Sequence, residues 1–374
     1  MKFEVSSTQL FAQLQTLSRV IVPKQSIPIL EDILFELREN VLTLTASDSE
    51  ITVRTSIIVD AFEGEGKVAF GGKLLVDTLK EFSEQPLTFI VDDQNFKLVI
   101  KSENGNYSFV GVNGNEYPQI AEMPAESKQI QLPARLLLDG INQTIYCTAD
   151  DELRPVMNGI NVDMLEDRIV LVATDAHRLV RFSNMTVKSE EPASFILPKK
   201  PANLLKNVLA KEDGEVTMSF DKQTIRFEFG KTLIICRQIE GRFPNYNAVI
   251  PQNNQNKMIV DRQTLLNACK RVAVFSSPGT GLIKLALTEN KVTITAQDID
   301  FSTSAEEVLT CSYDGMPMAI GFKAPFLIEL LGAASSDEVM FELADPARAG
   351  LILPTDNQEN EETLMLLMPM LLNE

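Results

Sequence analysis

Hydrophobic and polar positions follow the same order three times along this 374-residue chain. Each copy has a short strand, a helix with apolar residues every three or four positions, a strand pair and a short acidic turn. The turns are Ala46-Ser-Asp-Ser-Glu50, Ala173-Thr-Asp-Ala-His177 and Ala296-Gln-Asp-Ile-Asp300. Their aspartates, Asp48, Asp175 and Asp298, are 127 and 123 positions apart. This repetition predicts three similar domains, which usually build a surface or a ring.

Each repeat divides again into two halves, and each half contains a strand, a helix and further strands. One-sided apolar spacing, as at Leu10, Leu14 and Leu17, predicts helices that pack on one face of a sheet. The fold class is therefore α+β, with two helices and antiparallel sheets in each domain. The predicted helices cover residues 8–20, 73–83, 133–147, 198–211, 261–275 and 323–334. The predicted domains are 1–124, 125–254 and 255–374.

Composition indicates a globular protein of a reducing compartment. The chain is 44% apolar, and its four cysteines (Cys147, Cys236, Cys269 and Cys311) have no metal-ligand spacing, so we expect buried free thiols. Its first residues look like a strand and lack the apolar stretch of a signal peptide. The most apolar run, residues 364–372, is far shorter than the roughly 20 residues that span a bilayer. We therefore expect a cytoplasmic protein without a membrane partner.

Positive charge is concentrated in the predicted helices although the net charge is −18. The six helix windows hold 12 Lys or Arg and 5 Asp or Glu, a net +7, so the remainder carries −25. Helices that face a polyanion would give this distribution, because dispersed Lys and Arg suit phosphate contacts without base reading. Helices that are simply rich in Lys and Arg explain the charge count equally well.

No catalytic, metal or cofactor site is predicted. The segment Gly66-Lys-Val-Ala-Phe-Gly-Gly-Lys73 resembles a phosphate-binding loop, but its first glycine is out of register and Leu74 replaces the required Ser or Thr. The chain has one histidine, His177, and no nucleophile is tied to it. Two alternatives stay open: an enzyme that uses Asp175, His177 and Arg178, and a repeat scaffold that binds proteins but no nucleic acid.

Several segments resemble the bacterial DNA polymerase III β subunit family, the sliding clamps, in order and spacing over the whole chain. They are Ile27-Pro-Ile-Leu30, Arg154-Pro-Val-Met-Asn-Gly159, Val172-Ala-Thr-Asp-Ala-His-Arg-Leu179, Glu240-Gly-Arg-Phe-Pro-Asn-Tyr246, Ile320-Gly-Phe322 and Met368-Pro-Met370. The resemblance implies a head-to-tail homodimer, a ring of six domains whose helices line a hole around double-stranded DNA. It also implies a non-enzymatic processivity factor. Its partners would be the DNA polymerase III α subunit, the clamp loader complex, and other polymerases and repair proteins that carry clamp-binding peptides.

The resemblance also assigns three sets of residues. For DNA binding they are Lys24, Lys73, Arg154, Lys199 and Lys200. For a partner-peptide pocket they are Met157, Thr174, Ala176, His177, Arg178, Leu179, Pro244, Val249, Lys323, Phe326, Leu366, Leu367, Met368, Pro369 and Met370. For the dimer interface they are Tyr107, Phe109, Val274, Phe275, Glu306 and Glu307.

Two features of these sets lead to further expectations. Residues 364–372 are rich in Leu and Met, which suits an adaptable apolar groove, so we expect this segment to be partly exposed. Glu306 and Glu307 match an acidic patch that pairs with basic residues across the dimer interface. Asn104 and Asn106 replace those basic residues here, so we expect the interface to rest mainly on apolar contact.

Overall fold

The computed structural model describes residues 1–119 and 127–372. Within these residues it contains six α-helices and four antiparallel β-sheets, which confirms the α+β fold class. The predicted domain boundary between residues 124 and 125 lies outside the described residues. The boundary between residues 254 and 255 stays a prediction.

All six helices form where the apolar spacing predicts them. The first repeat contains β1 (Lys2–Ser6), α1 (Ser7–Leu17), β2 (Asp32–Arg38), β3 (Val41–Ser47), β4 (Ile51–Ile58), β5 (Ala61–Glu63), β6 (Gly66–Gly71), α2 (Gly72–Leu79), β7 (Pro86–Val91), β8 (Lys97–Lys101), β9 (Asn106–Val110) and β10 (Val112–Asn113). The second contains β11 (Lys128–Pro133), α3 (Ala134–Thr144), β12 (Gly159–Met164), β13 (Ile169–Thr174), β14 (Arg178–Asn184), β15 (Ala193–Pro198), α4 (Lys199–Leu209), β16 (Glu215–Phe220), β17 (Thr224–Phe229) and β18 (Thr232–Arg237). The third contains β19 (Asn256–Asp261), α5 (Arg262–Ala273), β20 (Leu282–Thr288), β21 (Lys291–Asp298), β22 (Thr303–Thr310), β23 (Ser312–Tyr313), β24 (Met318–Lys323), α6 (Ala324–Ala333), β25 (Glu338–Leu343), β26 (Gly350–Pro354) and β27 (Glu361–Leu367).

The chain packs as two compact units, and the second repeat contributes strands to both. The first unit comprises residues 1–135 and 207–238, and the second comprises residues 136–206 and 239–374. The first unit holds sheet A (order β5-β1-β7-β8-β9) and sheet B (order β10-β6-β2-β3-β4-β18-β17-β16-β11). The second holds sheet C (order β15-β12-β13-β14-β27-β26-β25-β19-β23) and sheet D (order β22-β21-β20-β24). Sheets B and C are therefore each built from two successive repeats.

The acidic turns have the same hydrogen bonds in all three repeats. Oδ1 of Asp48 accepts from the backbone N–H groups of the second and third residues after it, at 2.7 and 2.6 Å. Asp175 does the same at 3.0 and 3.0 Å, and Asp298 at 3.0 and 3.2 Å. A short carboxylate that accepts from its own backbone two residues on is the physical reason for Asp in such turns. The repeated aspartates seen in the sequence are therefore repeated turn geometry.

Local chemistry defines where the helices begin and which face they bury. Ser6 caps α1 by accepting from the N–H of Gln9, and Asp261 caps α5 by accepting from the N–H of Thr264 at 2.7 Å. The apolar stripe Leu10, Leu14 and Leu17 of α1 is fully buried, as predicted. All four cysteines are buried free thiols, and burial raises the pKa of each of them.

Among the described residues, no helix is long and apolar enough to cross a membrane. No group of three or more His, Cys, Asp or Glu side chains in the same residues could hold a metal ion.

Candidate functional site

The residues assigned above to the partner-peptide pocket form the candidate groove. The turn between β13 and β14 forms one end of it. Ala176 has a left-handed backbone (φ 73°), which the Asp175 carboxylate stabilises, and its N–H bonds the Thr174 hydroxyl at 3.1 Å. Ala176 and His177 are exposed, whereas Thr174 and Leu179 are buried. The turn therefore exposes His177 to solvent on a backbone that the side chains of Thr174 and Asp175 fix by hydrogen bonds.

Arg178 is a buried cation, and each of its three guanidinium nitrogens makes one bond within the chain. Its Nε lies 3.0 Å from a carboxylate oxygen of Asp175, one terminal nitrogen pairs with Glu329, and the other donates to the carbonyl of Tyr146 at 2.8 Å. Its side chain is 7% exposed. Burial by itself lowers the pKa of the guanidinium, but the interactions with Cys147, Glu329 and Asp175 outweigh it, so the pKa is raised and the charge is kept.

Three of the predicted pocket residues contact the aromatic ring of Phe326 on α6. Arg178 lies over the ring with its guanidinium carbon 4.4 Å from the centroid, and Lys323 Nζ lies 4.7 Å from it. The His177 ring stacks on Phe326 with centroids 6.0 Å apart. Cations near an aromatic face are attracted by its quadrupole, so this ring fixes the wall of the groove.

The C-terminal segment runs from the interior to the surface beside this wall. Leu366 and Leu367 are buried because β27 pairs with β14 on one side and β26 on the other. The expectation of partial exposure is therefore wrong for residues 364–367 and confirmed from Met368 onward. The Met368 N–H donates to the His177 carbonyl at 2.8 Å, and the Met370 N–H donates to the Gly321 carbonyl at 2.8 Å. A side chain at Gly321 would collide with this tail.

An apolar cluster on sheet C lies next to the turn. Leu179 and Leu366, which are opposite each other on β14 and β27, belong to it together with Phe243 and Ile250. Pro244 and Val249 adjoin these last two residues, and Val249 is 58% exposed. Met157 is half-buried on a short 3-10 turn (Pro155–Met157), and its neighbour Val156 packs on the cluster. Together these side chains give an apolar floor with exposed edges, which suits a peptide with hydrophobic anchors.

The residues assigned to DNA binding are all exposed. Lys73 lies at the start of α2, and Lys199 and Lys200 begin α4. Lys24 has a left-handed backbone (φ 63°) that the Glu31 carboxylate holds by accepting from its N–H at 2.9 Å. Arg154 is paired with Asp151 of the same loop at 2.9 Å, so part of its charge is already compensated.

The residues assigned to the dimer interface lie at two sheet edges and one helix end. Tyr107 and Phe109 are on β9, which ends sheet A, and the Tyr107 ring packs edge-on against Phe82. Val274 and Phe275 follow α5 and are exposed, and Glu306 is exposed on β22, which ends sheet D. Arg271 of α5 lies beside Glu307, and the two form a double hydrogen bond at 2.7 Å within the chain.

Sequence reasoning missed the residues that contact the groove residues from the interior of the protein. Glu329 and the Tyr146 carbonyl bind Arg178, and Phe243 and Ile250 support the apolar floor. A lone Glu in the middle of an apolar helix, Phe326-Leu-Ile-Glu-Leu-Leu331, was the signal for Glu329. The sequence showed Asp175 as part of the repeated turn and of the enzyme alternative, but it did not show that its carboxylate binds Arg178.

Comparison with known proteins covers the whole chain. The family models for the N-terminal, central and C-terminal domains of the DNA polymerase III beta subunit match residues 1–121, 131–245 and 247–370. A beta sliding clamp of Pseudomonas aeruginosa is 27% identical over 367 residues, which is 98% of this chain and 99% of that protein. A beta sliding clamp of Staphylococcus epidermidis is 26% identical over 374 residues and 98% of each chain.

Solved structures of sliding clamps superpose on the chain from end to end. The DNA polymerase III subunit beta of Pseudomonas aeruginosa bound to griselimycin has a TM-score of 0.94 at 26% identity, with 100% of both chains covered. That of Bartonella birtlesii bound to griselimycin has a TM-score of 0.92 at 28% identity, again with 100% of both chains covered. Three repeats, edge strands at both ends and three domain matches in order lead to one conclusion: this chain belongs to the DNA polymerase III beta subunit family, the bacterial sliding clamps.

Proposed function

We propose that two copies of this chain close into a ring around duplex DNA and hold partner proteins in the groove beside His177. As a member of its family the chain is a DNA sliding clamp, a processivity factor without an active site of its own. The single observation that carries the ring is the repeated strand pairing between successive repeats. A clamp serves the replication of DNA, so we place it in the bacterial cytoplasm.

Successive repeats are joined by the same strand pair. Strand β4 of the first repeat pairs with β18 of the second, and β14 of the second pairs with β27 of the third. The equivalent strand of the third repeat is β22, which ends sheet D, and the equivalent acceptor in the first repeat is β9, which ends sheet A. A head-to-tail contact that closes generates a ring, so pairing β22 with β9 of a second copy would complete the series.

Burial at equivalent positions supports this pairing. Through their sheet neighbours, Val53, Val180 and Ala305 are equivalent, and so are Ile234, Met365 and Tyr107. The two inner junctions pair Val53 with Ile234 and Val180 with Met365, and these four side chains are fully buried. At the open ends Ala305 is half-buried and Tyr107 is 39% exposed. An exposed edge with apolar side chains is a template for another strand.

The same equivalence gives the register across the interface. Ala305 should lie opposite Tyr107 of the second copy, Ser304 opposite Ser108, and Glu306 opposite Asn106. Directly opposed residues of an antiparallel pair have Cα atoms about 4.5–5.5 Å apart, which is within disulfide range. A shift of one residue would place the two side chains on opposite faces of the sheet.

The double variant Ser304→Cys, Ser108→Cys should therefore cross-link two chains on mild oxidation. The native cysteines are buried free thiols, so they should not contribute. Denaturing gels without reductant should show a covalent dimer as the main product. Thr303→Cys with Ser108→Cys is the matched control, offset by one residue, and should cross-link poorly. Equal yields from both variants would contradict the register.

DNA binding rests on exposed basic side chains at helix starts and loops. Lys199 and Lys200 at the start of α4 provide two adjacent exposed cations on one element. Phosphate contacts from such residues carry no sequence information, which is what movement along a duplex requires. The enzyme alternative lacks support, because the Asp175 carboxylate is occupied by Arg178 and backbone N–H groups.

Charge reversal at Lys199 and Lys200 should lower the salt dependence of duplex binding. Each lost phosphate contact removes about 0.9 from the slope of log K against log salt, so Lys199→Glu with Lys200→Glu should reduce the slope by about 2. Fluorescence anisotropy with a labelled duplex at several salt concentrations measures it. Lys222→Glu with Lys231→Glu, exposed at hairpin turns of sheet B, makes the same charge change and should leave the slope as it is. A binding scaffold without affinity for DNA would show no difference between the variants.

The groove is proposed as the site for partner peptides from the polymerase III α subunit, the clamp loader and other polymerases or repair proteins. Its apolar floor of Leu179 and Leu366 and its fixed wall of His177 and Phe326 support this assignment. Griselimycin, which binds the relatives from Pseudomonas aeruginosa and Bartonella birtlesii, is a suitable reagent, and we propose that this chain binds it in the same groove.

Val249→Asp should weaken griselimycin binding at least about tenfold, or about 1.4 kcal/mol, because a charge at the groove edge loses apolar contact and resists desolvation. Isothermal calorimetry measures it. Ile58→Asp, at a residue of matching exposure (55% against 58%) in the first unit, should bind as the unchanged protein does. Unaltered affinity of the Val249→Asp variant would place the ligand elsewhere.

A further inference from the structure

We propose that Arg178 and Glu329 form a positioning pair that shapes the groove from behind, and that Arg178 does not contact the bound peptide through its charge. This inference rests on the proposed peptide-binding function of the groove. The pair joins the acidic turn of the second repeat to helix α6 of the third, and both parts belong to the second compact unit.

The nitrogens of Arg178 are bonded within the chain, so few of its N–H groups can bind a ligand. The Nε group binds Asp175, and the two terminal nitrogens bind Glu329 and the Tyr146 carbonyl. The guanidinium carbon lies 4.4 Å from the centroid of the Phe326 ring, and the side chain is 7% exposed. A buried guanidinium with each of its three nitrogens bonded within the chain is a fixed part of the structure.

The repeats show that a cation is not needed for the turn itself. Ile51 is the equivalent residue in the first repeat, since its N–H makes the same bond to Asp48, and it is buried at 1% exposure. An apolar side chain is therefore sufficient to fill this position beneath a turn. Arg178 has a longer side chain than Ile51, and its ion pair with Glu329 connects the turn to α6.

The ion pair between Arg178 and Glu329 fixes the relative positions of the Phe326 and His177 rings, which form the wall of the groove. Phe326 precedes Glu329 by three residues on the same helix, so both lie on one face of α6. His177 immediately precedes Arg178 and stacks on Phe326. The attraction between Arg178 and Glu329 therefore sets the distance between these rings. The carbonyl of His177 in turn accepts a hydrogen bond from the N–H of Met368.

The test uses Glu329→Gln, which keeps shape and helix propensity and removes the charge. Glu329 is 53% exposed, so the variant should fold. His177 is the one histidine of the chain, so protein without a histidine tag and labelled at histidine Cε1 gives a single imidazole signal. In the unchanged protein this signal should carry the ring-current shift of Phe326. In the variant it should move toward that of a free histidine, and griselimycin binding should weaken about tenfold.

Arg178→Lys is the second variant, because an ammonium keeps the charge but cannot make three separate planar bonds. It should shift the His177 signal and weaken griselimycin binding as Glu329→Gln does. Glu342→Gln removes a carboxylate that pairs with Lys257 at 2.9 Å in the same unit, and it should change neither readout.

The outcomes separate the two levels of the proposal. An unmoved His177 signal with unchanged griselimycin affinity in Glu329→Gln and Arg178→Lys would overturn the positioning role. So would an unmoved signal with only a lower melting temperature, which would indicate a purely structural ion pair. If the unchanged protein failed to bind griselimycin while the His177 signal still shifted in the variants, the ligand assignment of the groove would fail and the positioning pair would stand.

Discussion

The pairing of one strand from each repeat with one strand from the next is the constraint on which the architecture depends. Backbone N–H and C=O groups at a sheet edge need partners, and two of the three junctions find them within the chain, at β4 with β18 and β14 with β27. The third set of groups, on β22 and β9, remains at the ends of sheets D and A. In the proposed ring a second copy supplies what one chain lacks, so assembly follows from the same interaction that joins the repeats.

Much of the fold was visible in the sequence because its causes are local. Helix α1 was predicted at residues 8–20 and is observed at Ser7–Leu17, since the buried stripe Leu10, Leu14 and Leu17 has the spacing of a helix. Residues 145–147, predicted as the end of a helix, form a 3-10 turn instead, and its Tyr146 carbonyl binds Arg178. The division of the second repeat between two sheets could not be read from local pattern, because strand pairing across repeats is a long-range property.

The candidate site was predicted as a set of residues but not as an arrangement. The resemblance to the sliding clamps grouped His177, Arg178, Lys323 and Phe326, and the structure brings them together around one aromatic ring. It also separates their roles, since His177 is exposed while Arg178 is buried and bonded to Asp175 and Glu329. Burial and partner choice of a charged side chain depend on tertiary packing, so the sequence could not distinguish a ligand contact from a support. The same reason explains why Glu307 is bound to Arg271 within the chain.

The most direct test of this account is the mass of the protein in solution, measured by light scattering over a range of concentrations. Strand pairing between two copies predicts a dimer of about 83 kDa, twice the 41.6 kDa of one chain. A monomer of 41.6 kDa throughout the micromolar range would contradict the ring.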